Sequence, residues 1–381
     1  MIKYIEVIKQ EGIDNMSFSY KKAYLILADG TVFEGKSFGK EGSVIGETVF
    51  TTGLVGYQET LTDPSYYGQL VVQTFPTIGN YGVNSIDKES EKIHLSGYIV
   101  NEWCTTPSNF RCEEDINEYL IKNNIIGIYD IDTRCLTKKI REFGVINGMI
   151  TTQYPIDFDE ALKQINAFKI ECSVEEVSNT KIEVNNVDNA KYNVVLFDFG
   201  FKHNIKNELL KRNCNVTVVP YNTTVEELLK LNPDGIMLSN GPGDPSANVE
   251  VIDTLKKIIK LNIPIFGICL GHQLMALANG AKTQKLKYGH RGANQPVKDL
   301  KTGRVYVTSQ NHGYEVVSET VNKDIGEVSH INVNDGSCEG VRYFNAPAFT
   351  VQFHPEACAG PLDTMFLFDE FIKNIDTNKK G

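Results

Sequence analysis

No apolar run in the sequence approaches the roughly 18 residues that suggest a membrane span. The opening stretch, MIKYIEVIKQEGIDN, interleaves charges with apolar positions and lacks the unbroken apolar core of a secretory signal. Cysteine pairs at metal or redox spacing are missing too, since none of the eight cysteines forms a CxxC. Nor is positive charge in excess: 38 Lys and Arg face 48 Asp and Glu, a net charge of -10. Phosphate contacts need clustered cations, so this balance argues against a nucleic-acid or anionic-membrane surface. These absences leave a cytoplasmic chain as the expectation, with neither membrane nor nucleic acid among its partners. Its 381 residues exceed one ordinary core, and about two domains are expected. Hydrophobic and charged shares of 41% and 23% suit a globular protein. In a chain of this size a cysteine without special context is a buried, reduced thiol. Only Cys269 has such a context.

Residues 1–22 are polar, without an apolar period, and are expected to form an N-terminal extension. The pattern changes at Ala23. The run AYLILADGTVFEG predicts two strands joined at Asp29-Gly30, a strong hairpin signal. Short strands are expected at ETVFT, QLVVQTF and HLSGYIV, then helices over EEDINEYLIKN and LTKKIREFG, the second stopped by Gly144. Residues 23–170 thus read as a strand-rich, mixed α/β domain. The polar, Asn-rich stretch 171–190 is expected as a linker. Over 191–378 strands and helices alternate regularly: NVVLFDFG, NIKNELLKRN, NVTVVP, TVEELLKL, GIMLSN, NVEVIDTLKKIIKL, PIFGI and LGHQLMALANG. That rhythm predicts βαβ units on a mainly parallel sheet, completed by RVYVTS and AFTVQF.

Gly267-Ile268-Cys269-Leu270-Gly271 lies where an apolar strand runs into a helix. A nucleophile between two glycines at such a junction describes a nucleophile elbow, because glycine tolerates the sharp turn and close approach. There the helix N-terminus is expected to lower the thiol pKa toward the thiolate. The Leu270 N–H is placed to bind a developing oxyanion. Alone, the pattern equally fits a buried cysteine beside two glycines.

Val351-Gln352-Phe353-His354-Pro355-Glu356 supplies a second signal. Residues two apart in an extended strand end share a face, so Glu356 is able to orient His354 while His354 moves a proton. Without Cys269 this run would be read as a surface turn. Ser239-Asn240-Gly241-Pro242-Gly243-Asp244-Pro245 follows a strand either as a tight turn or as a loop whose Gly241 N–H completes an oxyanion hole. Thr308-Ser309-Gln310-Asn311-His312-Gly313-Tyr314 is weak by itself, since a lone histidine beside a turn is usually structural.

Together the four elements resemble the class I (triad) glutamine amidotransferases, from about Tyr192 to Ile375. The resemblance implies a flavodoxin-like domain in which Cys269 attacks the side-chain amide of glutamine, His354 shuttles the proton and Glu356 holds His354. In the first half, FTTGLVGYQE at 50–59 and LTDPSY at 61–66 are similar to the small, glutamine-hydrolysing chain of carbamoyl phosphate synthetases. So are IGNYGVN at 78–84, IDTRCLT at 131–137, DFGFKHNI at 198–205 and GHRGAN at 289–294. Carried over position by position, glutamine binding falls on Gly53, Gly241, Gly243, Leu270, Gln273, Asn311, Gly313 and Tyr314. Gly53 stands where many relatives have serine, which leaves only a backbone contact there. Tyr314 replaces a frequent phenylalanine.

The resemblance further implies a large synthetase chain as partner and L-glutamine as substrate. Ammonia would pass through a protected tunnel to carboxy phosphate, made on the partner from bicarbonate and ATP, for arginine and pyrimidine synthesis. No metal and no cofactor are expected in this chain, which has no GxxxxGK[ST] loop and no evident metal cluster. ATP and Mg chemistry is expected on the large chain. An amidotransferase serving another synthase, such as those for anthranilate or GMP, is disfavoured by the GYQE and LTDPSY runs. A non-catalytic scaffold has no need of Cys269, His354 and Glu356 together, and a cysteine hydrolase of other amides does not account for Gln273 and QNHG.

Overall fold

The computed structural model describes residues 21–380. All but the last two residues of the expected N-terminal extension lie outside them, and the first strand opens at Lys22. Among the described residues no helix is long and apolar enough to cross a membrane. Lys22–Leu27 pairs antiparallel with Val32–Gly39 around Gly30, whose φ of 83° is a turn geometry that glycine adopts without strain.

These two strands belong to a closed barrel. Around it run Lys22–Leu27, Val32–Gly39, Ile126–Tyr129, Gly97–Ile99, Gln69–Gln73, Ser43–Thr51 and Ile146–Thr151, the last pairing back onto the first. Closure leaves none of these strands with a free edge. Leu25, Val72, Ile99, Ile128 and Ile150 come from five different strands and pack with Leu136 and Ile140 of the helix Thr133–Phe143. That helix starts where Asp132 accepts the Cys135 N–H at 2.8 Å, and it stops at Gly144.

The rest of the chain builds a ten-stranded sheet. Its centre is five parallel strands in the order Cys214–Pro220, Tyr192–Asp198, Gly235–Leu238, Ile265–Ile268 and Ala348–Val351. The last three are wholly buried, because helices cover both faces of the sheet. Such strands read as unbroken apolar runs. On one side the parallel core continues into antiparallel strands: Cys338–Tyr343, Gly326–Asn332, Thr283–Asp299 and Val305–Val316. The RVYVTS run lies in this antiparallel extension and not among the parallel strands. The stretch 171–190 holds the short helix Ser173–Val177 and the strand Glu183–Asn185, which adds antiparallel to the far edge. Three paired residues are too few to show as a sequence period.

Barrel and sheet meet through backbone bonds. Thr52 N donates to Arg291 O at 3.3 Å, Val145 N to Lys287 O at 2.9 Å, and His203 N to Glu89 O at 2.8 Å. The barrel is thereby fixed against the carboxyl edge of the parallel strands, where ligand sites of open α/β sheets form.

Candidate active site

Cys269 sits between the strand Ile265–Ile268 and the helix Leu270–Ala278, at φ 53° and ψ -102°. A non-glycine residue in this region is strained, and such strain persists only where surrounding contacts enforce it. Here Cys269 N donates to Val351 O at 2.9 Å, and Gly271 N to Ser239 O at 3.0 Å. The flanking glycines are required by close approach: a Cβ on Gly271 would stand 2.5 Å from Leu238 O, and one on Gly267 2.8 Å from Thr350 Cγ2.

His354 leaves the neighbouring parallel strand at the same edge. Val351 pairs with Ile268, so Cys269 and His354 emerge one and three residues beyond paired positions. His354 N donates to Ser309 O at 2.9 Å, which ties it to the strand Val305–Val316. Its Nδ1 lies 2.7 Å from Glu356 Oε1. Nε2 has no hydrogen-bond partner among the described residues although it is buried. Lys202 Nζ stands 3.9 Å from the same Glu356 oxygen and 3.5 Å from Asp63 Oδ2. Burial alone would raise the Glu356 pKa; His354 and Lys202 outweigh it and hold the carboxyl below its ordinary value.

The thiol does not behave as the helix N-terminus alone would have it. Burial, then the negative charges of Asp63 and Glu356, push the Cys269 pKa up to about 12, against the opposing pull of Lys202 and a backbone bond from Leu270. The resting group is a thiol. Desolvation of the anion exceeds what the end of one helix returns.

A cavity of about 370 Å³ opens over Cys269. Gly241, Gly243, Gln273, Asn311, Gly313 and Tyr314 line it, six of the eight positions assigned to glutamine. Gln273 donates both amide hydrogens, to Tyr314 O at 2.7 Å and Gln352 Oε1 at 2.9 Å, so its own carbonyl oxygen remains to accept from a ligand. A Cβ on Gly241 would collide with Phe199 O at 2.2 Å, which keeps that loop against the sheet. Tyr314 carries a raised pKa of about 12, from burial first and then from the negative charges of Asp244 and Glu47.

Two assigned positions lie elsewhere. The Leu270 side chain is packed in the core under the sheet, leaving only its backbone for a ligand. Gly53 lines a second, smaller cavity of about 60 Å³ and is not in the first. Its carbonyl accepts from Gln73 Nε2 at 2.7 Å, which turns the segment toward that second space. Neither His354 nor Glu356 lines the larger cavity; both are buried at the sheet edge. Asn311 lines both cavities.

Sequence reasoning passed over Asp63, Lys202 and Asn240 as site residues. The only signal was that acid and base occur inside the quoted LTDPSY and DFGFKHNI runs. As for metals, His290, His312 and Glu339 each bring one donor atom to within 4.8 Å of the others. Each of those side chains already has a partner outside the trio: His290 pairs with Asp335 at 2.8 Å, Glu339 accepts from Gln310 at 2.9 Å, and His312 bonds Tyr314 O at 2.8 Å. The cluster is a polar network under the strand that carries Asn311.

Comparison with known proteins agrees with this architecture. Residues 195–374 match the description "Glutamine amidotransferase class-I", and residues 25–150 match "Carbamoyl-phosphate synthase small chain, CPSase domain". The carbamoyl phosphate synthase small chain of Bacillus cereus is 54% identical over 94% of this chain and 97% of its own length. The chain belongs to the carbamoyl-phosphate synthase small-chain family. That of Fusobacterium nucleatum is 53% identical over 93% of this chain and 99% of its own. That of Bacillus caldolyticus is 51% identical over 94% and 98%. The barrel therefore coincides with the small-chain domain of this family, and the ten-stranded sheet with its amidotransferase domain.

Proposed function

We propose that this chain hydrolyses glutamine to glutamate and ammonia, and that the ammonia is passed to a large synthetase chain for carbamoyl phosphate synthesis. One observation carries the chemistry: a cysteine held at a strained strand-to-helix elbow, at the same sheet edge as a buried His354–Glu356 pair. Cys269 Sγ attacks the side-chain amide carbon of glutamine while its proton passes to His354 Nε2. A resting thiol with a pKa of about 12 makes that transfer part of the attack rather than a step before it. The Leu270 and Gly241 N–H groups face the developing oxyanion. His354 then gives its proton to the amide nitrogen, the C–N bond breaks, and ammonia leaves a glutamyl thioester on Cys269. Water attacks the thioester, losing a proton to His354, and the thiolate leaves and takes that proton back. Glu356 stabilises the imidazolium at both stages.

Ammonia bound for the partner would leave by way of the second cavity, which borders the larger one at Asn311. ATP, Mg and the carboxy phosphate chemistry belong to the partner, and the complex is assigned to the cytoplasm. Cys269→Ser, assayed with the partner present, is expected to abolish glutamine-dependent synthesis and to spare synthesis from free ammonia. Glutamine hydrolysis at the wild-type rate in that variant would remove Cys269 as the nucleophile.

A further inference from the structure

The turn Asp63-Pro64-Ser65 belongs to the barrel half of the chain, yet it is pressed into the sheet half, with Asp63 4% and Ser65 7% exposed. Asp63 Oδ1 accepts the Ser65 N–H at 2.9 Å, which completes the local turn. Oδ2 is left over, and it reaches across. It accepts from Asn311 Nδ2 at 2.9 Å and lies 3.5 Å from Lys202 Nζ. Both partners lead into the site. Asn311 O lies 3.7 Å from Cys269 Sγ. Lys202 Nζ is 3.9 Å from the Glu356 oxygen that holds His354. A third tie runs beside these: Ser65 Oγ accepts from Asn240 Nδ2 at 3.0 Å, Asn240 Oδ1 accepts the Lys202 N–H at 3.1 Å, and Asn240 precedes Gly241.

A buried charge is costly, and capping a three-residue turn does not require one, since asparagine or serine caps as well. The second carboxylate oxygen of Asp63 instead touches one group beside the nucleophile and one beside the base. We propose that Asp63 is a positioning residue through which the barrel holds both ends of the catalytic arrangement in register, an inference that rests on the glutaminase reading above. The charged groups acting on Cys269 are Asp63 and Glu356, which disfavour its thiolate, and Lys202 and Arg291, which favour it, with His354 at the same sheet edge. Movement of the barrel, as on docking of a partner, then changes the charge and the geometry at the thiol together.

The test is Asp63→Asn, with the synthetase partner present. The variant keeps the size and the turn-capping oxygen but loses the charge. Glutaminase kcat is expected to fall by about 100-fold, the scale of a small misplacement of reacting groups, with KM for glutamine nearly unchanged. The pH profile for alkylation of Cys269 by iodoacetamide should move to lower pH by roughly one unit, because a negative charge opposing the thiolate is gone. General loss of structure would expose the thiol and carry the profile much further, toward the free-cysteine value of about 8.5, so a shift held to about one unit with ammonia-dependent synthesis intact marks loss of the charge. Wild-type kcat with an unmoved profile in Asp63→Asn would overturn the proposal. If Asp63→Asn fails to fold, Asp63→Glu keeps the charge at the wrong reach; it should lose kcat, and full activity there overturns the proposal equally. An active Asp63→Asn beside an inactive Cys269→Ser removes only the role of Asp63, whereas an active Cys269→Ser removes the glutaminase reading itself.

Discussion

His354 Nδ1 and Glu356 Oε1 are 2.7 Å apart, and both side chains are shut away from solvent. With the carboxylate ionised, the bond places the imidazole proton on Nδ1 and leaves Nε2 as the base. Glu356→Gln keeps the size of the side chain but removes the charge that fixes this tautomer. Glutamine-hydrolysis kcat is expected to fall by about 10³- to 10⁴-fold with KM little changed. Steady-state kinetics on the complex check this, and a kcat within a few-fold of wild type would show that Glu356 does not orient the base.

Gly241→Ala tests the loop facing the elbow. The new methyl would sit 2.2 Å from Phe199 O and 2.7 Å from Leu270 Cδ2, so either the loop or the core beneath it must shift. A stability loss of about 1–3 kcal/mol is expected, the usual cost of overpacking. The drop in glutaminase kcat should be larger than that loss of folded protein explains, because the oxyanion donor moves. Denaturation curves and kinetics on the same preparation separate the two. Loss of stability with unchanged kcat would place Gly241 outside the oxyanion site.

The network under Asn311 should show itself in pH dependence. Burial lowers the His290 pKa, but the hydrogen bond to Asp335 and the buried charge of Glu339, 3.6 Å away, outweigh it and hold the group at about 9. The folded value lies above the unfolded one of about 6.5. The stabilisation is therefore fully present below about pH 6.5 and is lost as the pH rises through about 9. Asp335→Asn should lower Tm clearly at about pH 6 and much less at about pH 9.5. A deficit of equal size at both would mean that the pair carries no net ionic stabilisation.

The elements that were legible in the sequence are those whose signals are local. The Asp29-Gly30 hairpin, the Gly144 stop and the alternating strands and helices after Tyr192 each announce themselves within a dozen residues. The elbow was legible for the same reason, since Gly267, Cys269 and Gly271 are neighbours in the chain. Barrel closure was not, because pairing Lys22–Leu27 with Ile146–Thr151 leaves no mark in either strand. Asp63 shows the limit most clearly. In sequence it is one acid before a proline, and its bond to Asn311 spans 248 residues. The thiol pKa escaped for a related reason: the helix N-terminus is visible in the sequence, while the burial and the Asp63 charge that oppose it come from distant segments.

The central claim is that the Cys269 sulfur becomes acylated by glutamine. Acid quenching of the complex during turnover, followed by peptide mass spectrometry, tests it directly. A glutamyl thioester is expected on the peptide that contains Cys269, absent in Cys269→Ser and lost on treatment with hydroxylamine. A glutamyl adduct on any other cysteine, with the Cys269 peptide unmodified during active turnover, would contradict the account.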